Sequence, residues 1–405
     1  MAGILKRLTS LLLTAILLSA LLCLPARASG GYDPVHPELL EEGDLDAYAA
    51  ILVDAASGLV IYEKNADARM YPASTTKILT VFLGALIGDM DRTVTVSAAA
   101  LQVESGSSVI PLKKGERVRF EDLLYTTMVK SGNDGANVIA ETISGSADGF
   151  VGLMNRYAAS LDCGNTHFAN PSGLHDEAHY TSARDMATIT REAMQDETFR
   201  AIAATTRYVM PADNLYGERT LTSRLRQFFG NPEAAEYYPW ANGVKTGHTE
   251  KAGYCFVGSA EKDGLRLISV VFRCSSYAAC WRDTKRLMEY GFSQYVSTTV
   301  PALCAAHPVT VEITWCDADD PCHGLLELTP VKADGGADDV LIVPRSELDG
   351  LTAHFTELVN ISYVRELVAP VAAGEVMAIL TYEPETGEPV EYEMVASRSV
   401  GKAEE

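Results

Sequence analysis

The chain has 405 residues, more than one ordinary hydrophobic core accommodates, so two folded domains are expected. Its formal net charge of −21 argues against nucleic acid and phosphate-rich ligands, and any anionic substrate must meet local basic groups. With 47% apolar and 21% charged residues, most of the chain belongs to the globular class.

Lys6 and Arg7 precede an uncharged, leucine-rich run from Leu8 to Leu24, and Ala26-Arg27-Ala28 fits an A-x-A cleavage site. Residues 1–28 therefore read as a signal peptide, with an uncleaved N-terminal anchor as the lesser alternative, because the run is short for a membrane span. This places the protein in an exported, extracytoplasmic setting: the cell envelope or the medium. Loss of Lys6, Arg7 and Arg27 takes the charge to −24. Of eight cysteines, Cys23 leaves with this segment; Cys274/Cys280 and Cys316/Cys322 are each six apart, which permits small disulfide loops without choosing either. Cys316, Cys322 and His323 lack a second ligand cluster, so no metal site is expected, and no pattern calls for a cofactor.

Residues 29–45 form an acidic, irregular leader. "AAILVDAASGLVIYEKNAD" (49–67) predicts two strands around a Ser57-Gly58 turn. From Ser74 to Ile87 the chain is apolar on nearly all sides, which predicts a helix inside a domain rather than on its surface. Helical spacing recurs over 120–130, 148–161 and 181–194, the last opened by a Thr/Ser cap. Residues 242–274 predict strands with a hairpin at Lys262-Asp263-Gly264, and 283–292 a closing helix. Strands, a helical middle, then strands and a helix predict an α+β domain over 46–293, with strands from both ends in one sheet. Short alternating runs over 297–398 predict a small all-β domain.

One stretch carries chemistry. In "PASTTKILT" (72–80), Ser74 and Lys77 are three apart, on one face of a helix, so the Lys77 amine can approach the Ser74 hydroxyl. Burial lowers a lysine pKa and makes the amine a usable base; the bland alternative is a lysine that reaches back to water. Ser131-Gly132-Asn133 follows Ser74 by 57 residues, between two helices, and Lys245-Thr246-Gly247 follows Ser131 by 114. Each piece is common alone; S-x-x-K, S-D-N and K-T-G in this order form a known set of acylating serine enzymes, and here the middle element is S-G-N, with its first and last members kept.

On these motifs, together with "HFANPSGLHDEAHYTSARDMA" (167–187), the chain resembles the low-molecular-mass penicillin-binding proteins, the serine-type D-alanyl-D-alanine carboxypeptidases. The resemblance implies a transpeptidase/β-lactamase-like domain, an antiparallel sheet with helices on both faces and a helical subdomain, followed by the β-rich domain. It implies that Ser74 is acylated and that Lys77 is its base. Ser131 would relay protons to the leaving D-alanine, and Asn133 would bind the substrate's amide backbone. Lys245 and Thr246, on an edge strand, would hold its terminal carboxylate. Gly247 would leave room for substrate, and the backbone N–H groups of Ser74 and His248 would form the oxyanion hole. The implied partners are peptidoglycan stem peptides ending in D-Ala-D-Ala, and β-lactams as acylating inhibitors. The family often carries an arginine where this chain has Cys280; whether Arg282 substitutes stays open.

The competing readings are a β-lactamase with Glu177 as deacylation base, a D-Ala endopeptidase on the same nucleophile, and a non-enzymatic scaffold. "HDEAH" (175–179) lacks the glutamate that a zinc protease helix needs after its first histidine, so it reads as a loop with two exposed histidines. Tyr237-Tyr238-Pro239-Trp240 either lines the groove or simply packs. The chain ends "SRSVGKAEE" without an amphipathic anchor, so release and peripheral membrane association through the N-terminus are both open.

Overall fold

The computed structural model describes residues 36–333, 335–336, 339–383 and 389–403; the segment expected as a signal peptide and the first part of the leader lie outside them. In chain order, β1 (Ala49–Asp54) and β2 (Val60–Lys64) form the first hairpin. A 3-10 turn (Ala73–Thr76) runs into α1 (Lys77–Ile87), followed by β3 (Thr93–Thr95) and β4 (Arg117–Arg119). The helical middle is α2 (Phe120–Lys130), α3 (Asn133–Ser144), α4 (Ala147–Ser160), α5 (Ala183–Ala193) and α6 (Glu197–Ala203). A β5 (Arg207–Met210)/β6 (Arg219–Thr222) hairpin leads to β7 (Ala241–Thr249), β8 (Gly253–Lys262), β9 (Leu265–Cys274) and α7 (Tyr277–Gln294).

The main sheet is antiparallel, in the order β2-β1-β9-β8-β7, so strands from both ends of this region lie side by side and β7 is an edge. All six residues of β1 are buried because the sheet is covered on both faces. Ala49, Ile51 and Val53 pack with the helical middle, while Ala50 and Leu52 pack with Leu287 and Met288 of α7. Alternation along a strand sends successive side chains into two separate cores. The first of them receives α1, buried from Lys77 to Gly84, as its apolar sequence predicts. The closing helix is longer than the expected 283–292. It starts at Tyr277 because the Ser276 side chain caps it by accepting the Ala279 N–H.

The remaining elements are β10 (Tyr295–Thr299), α8 (Val300–Ala306), β11 (Val309–Glu312), β12 (Leu325–Val331), β13 (Val340–Pro344), α9 (Leu348–Leu358), β14 (Asn360–Tyr363), β15 (Val376–Tyr382) and β16 (Val390–Ala396). A five-stranded antiparallel sheet, β11-β12-β16-β15-β14, is the centre of this C-terminal β domain, and β12 shows a clean alternation of exposed and buried residues. Its core centres on Leu326, Leu328, Phe355, Tyr392 and Met394. The short helices α8 and α9 are additions that the alternating sequence did not announce. All seven described cysteines are free, so neither six-residue spacing closes a disulfide loop.

Candidate active site

Ser74 sits in the 3-10 turn that opens α1, and Lys77 is the first residue of that helix. The Lys77 side chain is fully buried. Its Nζ donates to Asn133 Oδ1 at 2.7 Å and to the Ser172 carbonyl at 2.5 Å, which leaves the lone pair of the neutral amine for the Ser74 hydroxyl, 3.0 Å away. Burial pushes the amine well below the ordinary lysine range, and the Lys245 charge adds to this against the opposing Asp134 carboxylate. A neutral amine held against a serine hydroxyl can accept its proton.

The two later motifs converge here. Ser131 ends α2 in the left-handed conformation (φ 60°), and Asn133 already belongs to α3, so the connection is tighter than the sequence alone indicates. Asp134 ties this corner down by accepting the Ile110 and Leu112 N–H groups at 2.8 and 3.1 Å. A Cβ on Gly132 would lie 2.5 Å from Ile110, which explains a glycine at that position. Lys245 on β7 donates to Ser131 Oγ at 2.9 Å and to the Thr246 carbonyl at 2.8 Å. It is buried, which lowers its pKa to about 7, with Arg224 as the second cause. Thr246 is buried beside it, and the His248 ring is exposed, against Tyr254 at 4.3 Å between centroids.

Several placements differ from expectation. The nearest obstruction to a side chain at Gly247 is the turn that carries Ser74: an added Cβ would lie 2.9 Å from the Pro72 carbonyl oxygen and 3.0 Å from Ser74 N. Asn133 Oδ1 accepts from Lys77, so the amide expected to bind substrate also holds the Lys77 amine. His179 is not exposed. It is buried, its Nε2 lies 2.8 Å from Thr76 Oγ1, and burial brings its pKa down to about 3. Glu177 is at the surface, where it accepts from Tyr71 Oη at 2.7 Å. Tyr238 packs against Phe228, and Tyr238 and Trp240 both line a cavity of about 360 Å³ with Pro37, Lys262 and Phe292.

The position where the family often has arginine, Cys280, is fully buried, and Arg282 turns to Asp283 at 3.5 Å. The cation that acts on Lys245 is Arg224, from the 3-10 turn Arg224–Gln227; its guanidinium lies over the Tyr277 ring at 4.2 Å. Sequence reading missed Arg224, His179 and the Ser172 carbonyl. A carbonyl has no side-chain signal, and Arg224 is one arginine among many until the loop before β7 folds back. Among the described residues, Asp46, Cys274 and Asp283 form a group of metal-ligand type. Its carboxylates already accept backbone N–H groups of Ser275 and Ala47.

A buried amine on a serine hydroxyl, a second lysine–serine pair and the edge strand β7 beside them together have the make-up of a serine hydrolase. A family model for D-alanyl-D-alanine carboxypeptidases, peptidase S11, matches residues 36–276, more than half the chain, and the chain belongs to that family. It is 32% identical over 349 residues to D-alanyl-D-alanine carboxypeptidase DacA of Escherichia coli (strain K12), covering 84% of this chain and 80% of that protein. It is 35% identical over 253 residues to DacF of Bacillus subtilis, covering 62% of this chain and 63% of that protein. Penicillin binding protein 5 from Haemophilus influenzae superposes with a TM-score of 0.60 at 26% identity, covering 90% of this chain and all of the other.

Proposed function

We propose that the protein is a serine-type D-Ala-D-Ala carboxypeptidase that removes the terminal D-alanine from peptidoglycan stem peptides through an acyl-enzyme on Ser74. The observation that carries this is the fully buried Lys77 amine 3.0 Å from Ser74 Oγ. Lys77 takes the Ser74 proton as the hydroxyl attacks the penultimate carbonyl. The Ser74 and His248 N–H groups bind the developing oxyanion, and the Lys245–Ser131 pair delivers a proton to the departing amine. The terminal carboxylate lies against Thr246, Lys245 and Arg224. Water then releases the shortened peptide. β-Lactams acylate the same serine.

The β-lactamase reading loses ground because Glu177, its deacylation base, is an exposed partner of Tyr71 and His175. Export and attachment at the outer face of the membrane rest on residues 1–28; no described helix is long and apolar enough to cross a membrane. The test is D-alanine release from a diacetyl-Lys-D-Ala-D-Ala peptide beside penicillin labelling. Ser74→Ala loses both, whereas D-alanine release that survives in that variant rules the mechanism out.

A further inference from the structure

Ala73, the residue before the nucleophile, is buried and has a φ of 48°. An alanine in the left-handed region is strained, and such a conformation persists only where its surroundings impose it. Three contacts do so. Gly173, itself at φ 84°, comes so close that a Cβ there would lie 1.8 Å from the Ala73 carbonyl oxygen. Thr76 Oγ1 donates to that same oxygen at 2.8 Å. His179 Nε2 lies 2.8 Å from Thr76 Oγ1.

The direction of this chain follows from its far end. The Ala169 N–H donates to His179 Nδ1 at 3.2 Å, so Nδ1 carries a lone pair. A neutral imidazole then has its hydrogen on Nε2, which donates to Thr76 Oγ1 and leaves the Thr76 hydroxyl hydrogen for the Ala73 carbonyl. The histidine is 2% exposed and stands edge-on to Phe168, with ring centroids 5.5 Å apart, so water does not compete for either nitrogen. Burial lowers its pKa to about 3, which keeps the ring neutral, and the Ala169 N–H selects this tautomer.

The peptide that follows Ala73 carries the Ser74 N–H, and Ser74 N lies 3.0 Å from the Cβ position of Gly247 on β7. Rotation at Ala73 therefore turns the Ser74 amide relative to β7. We propose that His179, acting through Thr76, is a positioning residue that holds Ala73 in its left-handed conformation and so aims the Ser74 amide at the substrate's developing oxyanion. This rests on the assignment of Ser74 as the acylated residue. Neither His179 nor Thr76 touches the reacting atoms.

Thr76→Val keeps the shape and removes the hydroxyl; Thr76→Ser keeps the hydroxyl. The readouts are the rate of Ser74 acylation by benzylpenicillin, normalised to the sites labelled at saturation, and kcat and KM for D-alanine release. We expect Thr76→Val to lower acylation and kcat together by about 10- to 100-fold, the scale of a misplaced catalytic group, with KM within about twofold. Thr76→Ser stays near wild type. His179→Gln reads the same relay from its other end should Thr76→Val not fold. Wild-type acylation in Thr76→Val or His179→Gln overturns the proposal, and so does a Thr76→Ser variant as slow as Thr76→Val. Were the wild type to acylate with penicillin but release no D-alanine, the carboxypeptidase reading would fail while acylation still tests the relay.

Discussion

Gly247→Ala adds one methyl group to β7 at the point where that strand passes Ser74, the proposed nucleophile. The added Cβ would meet the Pro72 carbonyl oxygen at 2.9 Å, Ser74 N at 3.0 Å and Ala73 Cβ at 3.1 Å. Comfortable separations are about 3.5–4.0 Å, so something must move by about half an ångström. All three atoms are on or next to backbone, and β7 is held by its ladder to β8, with Gly247 opposite Cys255. The turn that carries Ser74 is a single 3-10 turn with no strand ladder of its own. Overpacking of this kind costs about 1–3 kcal/mol of stability, and displacement of the nucleophile and its amide costs up to about 100-fold in rate. The assay is penicillin acylation beside D-alanine release, with a melting curve. A moved nucleophile lowers kcat and slows acylation; obstruction of the peptide alone raises KM and leaves kcat unchanged. Acylation within about twofold of wild type would refute the argument that the turn is held this tightly.

Two further predictions concern pH. Burial, with Arg224 second, lowers the Lys245 pKa to about 7, so as pH rises from 6 to 9 it loses the charge proposed to hold the substrate carboxylate. KM should then climb by up to about tenfold per pH unit above 7, until Arg224 alone holds the substrate. Because Arg224 depresses Lys245, the limb in Arg224→Ala should move to higher pH; a flat KM, or a limb that moves down, contradicts this assignment. His179 has a folded pKa of about 3, below the unfolded value of 6.5, against the opposing Asp176 charge. The unfolded chain therefore binds the extra proton, and stability falls as pH drops from 6.5 towards 3, by roughly 3 kcal/mol at pH 4 from this group. Denaturant titrations should show that slope flattened in His179→Gln, and an unchanged slope would remove histidine titration as its cause.

The α+β class, the helices over 120–130, 148–161 and 181–194, the hairpin at 262–264 and the three motifs were all legible from residue pattern. Each rests on interactions local in sequence: alternation along strands, helical spacing, a serine cap. The approach of Lys77 to Ser74 was legible for the same reason, because the two share one turn. What needed the tertiary structure is everything carried by distant or side-chain-less partners. His179 reads as an exposed loop residue because its segment is polar, yet the loop folds back and buries it against the turn that carries Ser74. Arg224 has no local mark, and its place beside Lys245 depends on the path of the chain into β7. The Ser172 carbonyl that completes Lys77's set of acceptors is a backbone atom, which every residue possesses. Sequence by itself determined which groups could react and on which elements they ride. Only the packed structure decided how they are aimed, because aim here is set by backbone carbonyls, a strained φ at Ala73 and close approach at Gly173 and Gly247, none of which leaves a side chain to read.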